Sequence, residues 1–277
     1  MGAKLGAALA ILNGAVGDYL HGTGNGLAIE MSVARGVPGP RVVVFLHGLM
    51  CTEDVWSFPD GSDYGALLER DLFVSPLYLR FNTGRRVAES GVELARLLEQ
   101  LVEQHPEIRE ILLVGFSMGG LVVRSATHVA SDAKMRWLSL VTRAFYVGTP
   151  HLGSPWERLG RGLVELLRGI DDPYTGLAAE LADVRSGGIK DLGDPAHPFP
   201  LLPAIRHHFV AGLVEPRYVA RLIGDALVPL ASGTNGAVSD PDAVLPHHVK
   251  ILPGVAHMTL AHHPHVYEQL RAWCEAA

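Results

Sequence analysis

The chain has 277 residues, of which 48% are hydrophobic and 19% charged, with a formal net charge of −6. That balance is globular and apolar enough for a large core, which excludes a disordered chain. With no Lys/Arg block it also excludes a protein that tracks a nucleic-acid backbone. Cys51 and Cys274 lie far apart and outside any metal or disulfide spacing, so neither a disulfide framework nor a zinc knuckle is expected.

In chain order, the first uncharged run covers 5–17 and stops at Asp18, too short to span a bilayer. Lys4 and the apolar stretch 5–12 fit the opening of a signal peptide. The recurrence of Leu5, Leu9, Leu12, Val16 and Tyr19 every three or four residues predicts instead an amphipathic helix packed on a domain. On that reading the protein is cytoplasmic, with secretion as the alternative and no stable membrane insertion. Strands are predicted at 28–33, 41–46 and 72–77, then a helix over 87–104 carrying Leu94, Leu97, Leu98 and Leu101 and ending before Pro106. A strand at 111–114, a helix over 118–130 and a strand at 141–147 follow. Such alternation builds an α/β fold with a mostly parallel sheet covered by helices on both faces.

The rhythm breaks from 149 to 207, where no strand is evident and 156–170 and 174–184 have helical spacing. Residues 150–207 are therefore expected to form a helical cap inserted in one domain spanning 1–277, with the Gly- and Pro-rich stretch 187–203 as a hinge-like loop. Strands return at 208–214 and 248–252, and a helix opened by Pro264 closes the chain over 264–277.

Between the strand and the helix in the middle of the chain stands Gly115-Phe116-Ser117-Met118-Gly119. A serine between two glycines at a strand-to-helix seam is held on a tight turn, with its hydroxyl raised above the sheet. The N–H of Met118 then faces a developing oxyanion. A second donor is expected from the loop after 41–46, which reads His47-Gly48-Leu49-Met50, with Leu49 N–H first and Met50 next. His47 is expected to brace that loop rather than act as a base.

A serine hydroxyl needs an imidazole to take its proton and a carboxylate to orient that imidazole. Ligands of open α/β sheets sit at the carboxyl ends of strands. His257, after the last strand, lies at that end; His247 and His248 lie at the other, and His262, His263 and His265 fit a solvated helix start. Asp225 is the acid that gives the order Ser, Asp, His, with Glu215 competing and Asp240 and Asp242 read as turn formers. Phe116, Met50, Trp156, Leu159 and Leu163 are candidates for lining an acyl pocket. The pairs His207-His208, His247-His248 and His262-His263 point their rings apart, so no metal is expected.

Together with Gly148-Thr-Pro-His-Leu-Gly-Ser-Pro155 and the Gly224-Asp225 and Val228-Pro229 pairs, these residues resemble the α/β-hydrolase superfamily, in its bacterial lipase and esterase branch that includes inositol-deacylase-like hydrolases. The resemblance implies the α/β-hydrolase fold with a helical lid. It also implies a cofactor-free Ser-His-Asp ester hydrolase, for which short- to medium-chain acyl esters are the expected substrates. The same acyl-enzyme would serve an acyltransferase, and a non-catalytic binding protein on this fold is the remaining alternative. Oligomeric state is not written in the sequence.

Overall fold

The structure, a computed structural model, describes residues 3–155, 186–193, 199–214, 225, 227–239 and 246–276. Seven strands form one sheet: β1 (Ser32–Arg35), β2 (Arg41–Leu46), β3 (Ser75–Arg80), β4 (Glu110–Phe116), β5 (Val141–Val147), β6 (Arg206–Leu213) and β7 (Val249–Pro253). Their order is β1-β3-β2-β4-β5-β6-β7, with β1 antiparallel to β3 and every other pair parallel.

Side chains alternate across a strand, so the apolar runs supply both faces at once. Val42, Val44, Ile111, Leu113 and Tyr146 face one core, which α3 (Val87–Gln104) and α4 (Met118–Asp132) cover. Val43, Phe45, Leu112, Val114 and Phe145 face the other, covered by α2 (Tyr64–Leu72) and the C-terminal helix Pro264–Glu275. After β2 the chain turns to one side to make β3, and β4 then returns on the other side of β2. The loops after β2 and β4 therefore diverge and leave a crevice at their carboxyl ends, where ligands of such sheets bind.

Three expectations shift. The strand expected at 28–33 forms at Ser32–Arg35 on the exposed edge, because Asn13 holds the backbone before it through Leu27 O and Ile29 N at 2.8 and 2.9 Å. The strand expected at 72–77 forms at Ser75–Arg80, in register with β2 from Val42↔Ser75 to Leu46↔Leu79. Leu72 instead ends α2, an unforeseen helix that Asp63 caps by accepting from Ala66 N at 2.8 Å. Within the expected loop 187–203, Gly187–Gly193 is helical, and its buried Asp191 accepts from Val87 N at 2.8 Å, capping α3. Helices expected at 156–170 and 174–184 lie outside the described residues.

The N-terminal helix α1 (Ala3–Gly22) forms, with another face buried than its large residues suggest. Leu5 and Tyr19 are exposed, whereas Ala10, Ile11, Ala15 and Leu20 are buried. A Cβ on Gly14 would lie 2.3 Å from Met50 Cγ, so the helix axis approaches the loop after β2 closely. Among the described residues no helix is long and apolar enough to cross a membrane.

Candidate active site

Ser117 stands where β4 ends and α4 begins, with φ 51° and ψ −121°, a strained conformation for a residue with a Cβ. Ser117 N–H donates to Val147 O at 2.9 Å, tying the turn to the end of β5. The flanking glycines answer to space: a Cβ on Gly115 would lie 2.5 Å from Gly120 Cα, and one on Gly119 would lie 2.4 Å from Leu46 O and 2.7 Å from His47 O. Those oxygens belong to the sheet and the loop after it and cannot swing away. Gly119→Ala should therefore lower stability by about 1–3 kcal/mol and push the loop after β2 away from Ser117, so denaturant unfolding and turnover should both suffer.

That loop carries the second candidate donor. Cys51 N–H donates to Gly48 O at 3.2 Å, closing a four-residue turn with Met50 at φ 58°, the positive third position of a type II turn. Met50 N–H is taken by Thr83 Oγ1 at 3.0 Å. Leu49 N–H has no acceptor among the described residues, and neither has Met118 N–H. Of the N–H groups of Leu49 and Met50, that of Leu49 is the one without an acceptor among the described residues. Cys51 packs behind the turn, and burial pushes its thiol up to about 12, so it stays a thiol at neutral pH.

His47 braces the loop, as expected. Its Nε2 accepts from Phe81 N–H at 3.4 Å, which puts the ring proton on Nδ1, donated to Gly48 O at 3.0 Å. Burial lowers its pKa from 6.5 to about 4, opposed by the Gly48 hydrogen bond. The unfolded chain takes up a proton here near 6.5 that the folded ring refuses until about 4. Stability is therefore full above that window and is lost as pH falls through it, by roughly 3 kcal/mol from this ring. Thermal unfolding should show the midpoint dropping between about pH 6.5 and 4, with a shallower drop in His47→Gln.

Asp225 and His257 meet on the far side of β5. His257 Nδ1 lies 2.7 Å from Asp225 Oδ2, with the two residues 1% and 6% exposed. The other carboxylate oxygen accepts from Val228 N at 2.7 Å and Leu227 N at 3.1 Å, so the acid is oriented by its own loop. His257 N–H donates to Asp225 O at 3.0 Å, and Phe116 packs against the imidazole at 5.0 Å between ring centres. With Nδ1 donating to the carboxylate, Nε2 is left as an acceptor. Ser117 is bonded to Val147, and a Cβ on the next residue, Gly148, would lie 3.1 Å from His257 Cε1, so both adjoin one strand end. Ser117 Oγ has no hydrogen-bond partner among the described residues; catalytic contacts are often loose without substrate.

The Gly148–Pro155 turn fastens these parts to one another. Ser154 Oγ donates to Leu227 O beside the acid, and Ser232 Oγ donates to Gly153 O at 2.7 Å while accepting from Leu152 N. Buried Arg124 bonds His151 Nδ1 at 2.8 Å, Asn235 Oδ1 at 3.1 Å and Phe199 O at 2.9 Å. Tyr64 OH donates to Leu260 O and accepts from His263 N, both at 2.7 Å, steadying the turn after His257. Sequence reading missed Thr83, Arg124, Ser232 and Tyr64. Thr83 alone carried a signal, a polar Asn-Thr-Gly stretch after a strand, whereas the others are set by packing.

Of the expected lining residues, Met50 packs in a cluster with Ile11, Ala15 and Ile189, where α1 closes on it. Phe116 is buried against His257 and Trp56. Trp156, Leu159 and Leu163, with the competing acids Glu215, Asp240 and Asp242, lie outside the described residues. His263 caps the C-terminal helix by accepting from His265 N at 3.3 Å, and His265 pairs with Glu268 at 2.8 Å, as a helix start would. Among the described residues no three His, Cys, Asp or Glu side chains gather as metal ligands, and both cysteines are free.

Residues 39–162 match the family described as "Putative serine esterase (DUF676)". Among solved structures, the mature form of lipase BlEst2 from Bacillus licheniformis is similar, with a TM-score of 0.56 at 17% identity, covering 87% of this chain and 95% of that one. The product of gene lin2722 from Listeria innocua gives 0.51 at 13% identity, covering 86% and 94%. These two likenesses show the fold. A comparison with curated protein sequences finds no match.

Proposed function

We propose that this chain is a serine ester hydrolase in which Ser117, His257 and Asp225 act as a triad, a reading that the α/β-hydrolase fold and the match of residues 39–162 to a putative serine esterase family support. Ser117 Oγ attacks the ester carbonyl as His257 Nε2 takes its proton; Asp225 holds the tautomer and stabilises the imidazolium. The N–H groups of Leu49 and Met118 receive the oxyanion. His257 then protonates the departing alcohol, a water attacks the acyl-serine, and the acid leaves. The observation that carries this reading is the pair of donors without acceptors among the described residues beside a strained serine, Leu49 N–H and Met118 N–H.

The substrates we propose are short- to medium-chain acyl esters, and the segment 150–207 is proposed as a lid whose Trp156, Leu159 and Leu163 shape the acyl pocket. Hydrolysis of p-nitrophenyl esters from acetate to palmitate tests both statements. Turnover peaking at short or middle lengths is expected. A rate that climbs to palmitate would refute the chain-length reading, and no labelling of Ser117 by a fluorophosphonate would refute the nucleophile.

A further inference from the structure

The other end of the sheet, where β5, β6 and β7 begin, holds a cavity of about 430 Å³. Its wall includes Arg143, Arg206, His247, His248, Trp273 and Leu201, and no carboxylate among the described residues. Arg143 and Arg206 are Cα partners on neighbouring parallel strands, so two guanidiniums start side by side, an arrangement that repels unless an anion intervenes. Arg143 donates to Ala276 O at 2.6 Å and reaches Glu110 at 3.8 Å, a carboxylate already engaged by Arg41 at 2.6 Å and Thr142 at 2.7 Å. Arg206 is exposed, with no acid paired to it among the described residues.

The imidazoles add ring N–H donors. His247 and His248 stand edge to face at 5.1 Å, their side chains unbonded among the described residues. Behind them His208, 7% exposed, stacks between Phe145 and Trp273 with both ring nitrogens unpartnered. Burial lowers its pKa to about 4, helped by Arg143, and burial also lowers that of His248. These ring N–H groups and the two guanidiniums, with no carboxylate closer than 3.8 Å among the described residues, make a positive, donor-rich hollow with an apolar wall, complementary to an anion that has an organic part.

We propose that this cavity binds a small organic oxyanion, a carboxylate or a phosphate ester, with its charge between Arg206, Arg143, His247 and His248 and its apolar part against Leu201 and Trp273. The site lies at the opposite end of the strands from Ser117 and does not depend on the proposed hydrolysis.

Calorimetric titration of the full chain with inorganic phosphate, and separately with butyrate, at low ionic strength tests it. Saturable binding is expected with a dissociation constant on the order of 1 mM or tighter, with the imidazole resonances of His247 and His248 shifting along the same isotherm. The tighter probe tells phosphate esters from carboxylates. Arg206→Gln changes an exposed side chain and should melt like wild type while binding about fivefold or more weakly; His248→Phe should weaken binding too. Absence of saturable binding by both probes up to about 10 mM, or unchanged binding in Arg206→Gln, would overturn the proposal.

Discussion

Ser117→Ala is expected to lower kcat for p-nitrophenyl butyrate by about 10⁴- to 10⁶-fold while the protein stays folded. The size follows from what the hydroxyl does in the proposed mechanism. Without it no acyl-enzyme forms, and only substrate positioning and the N–H groups of Leu49 and Met118 remain to help water attack. The fold should tolerate the change well, since Oγ bonds nothing among the described residues and the φ of 51° is held by Val147 O and by the backbone crowding at Gly115 and Gly119. A variant that melts like wild type and keeps more than about a tenth of the wild-type rate would remove Ser117 as nucleophile.

Asp225→Asn should cost about 10⁴-fold in kcat through a proton in the wrong place. Oδ1 accepts from Leu227 N and Val228 N, so the amide oxygen of asparagine must occupy that position. Its NH2 then faces His257 Nδ1, where Oδ2 now lies at 2.7 Å. Two donors cannot face each other, and the imidazole responds by carrying its proton on Nε2, the atom needed to accept from serine. The bond from His257 N to Asp225 O at 3.0 Å survives, so the loops stay in place. A kcat within about tenfold of wild type would move the acid's role to another carboxylate such as Glu215.

Legibility differed along the chain for physical reasons. Runs such as 41–46 and 111–114 read as strands because both faces of a parallel sheet demand apolar side chains, and the elbow read clearly because tight turns demand glycine. Less legible were the elements whose ends are set by partners distant in sequence. Strand β3 starts at Ser75 rather than Leu72 because pairing with β2 fixes its register. Helix α1 buries Gly14 and Ala15 rather than Tyr19, because a close approach to Met50 rewards small residues over large ones. The same contact packs the Met50 side chain against α1.

The sequence by itself determined the chemistry available: a serine on a strand-to-helix turn, and an acid and a histidine in later loops at the carboxyl end of the sheet. These are local demands of turn geometry and strand direction. Only the tertiary structure decided which oxygen of Asp225 meets His257 and that Thr83 claims Met50 N–H, while Leu49 N–H has no acceptor among the described residues. It alone, too, set Arg143 beside Arg206 at the far end. Those choices depend on which strands lie side by side, which is fixed by the packing of the whole sheet rather than by any stretch of chain.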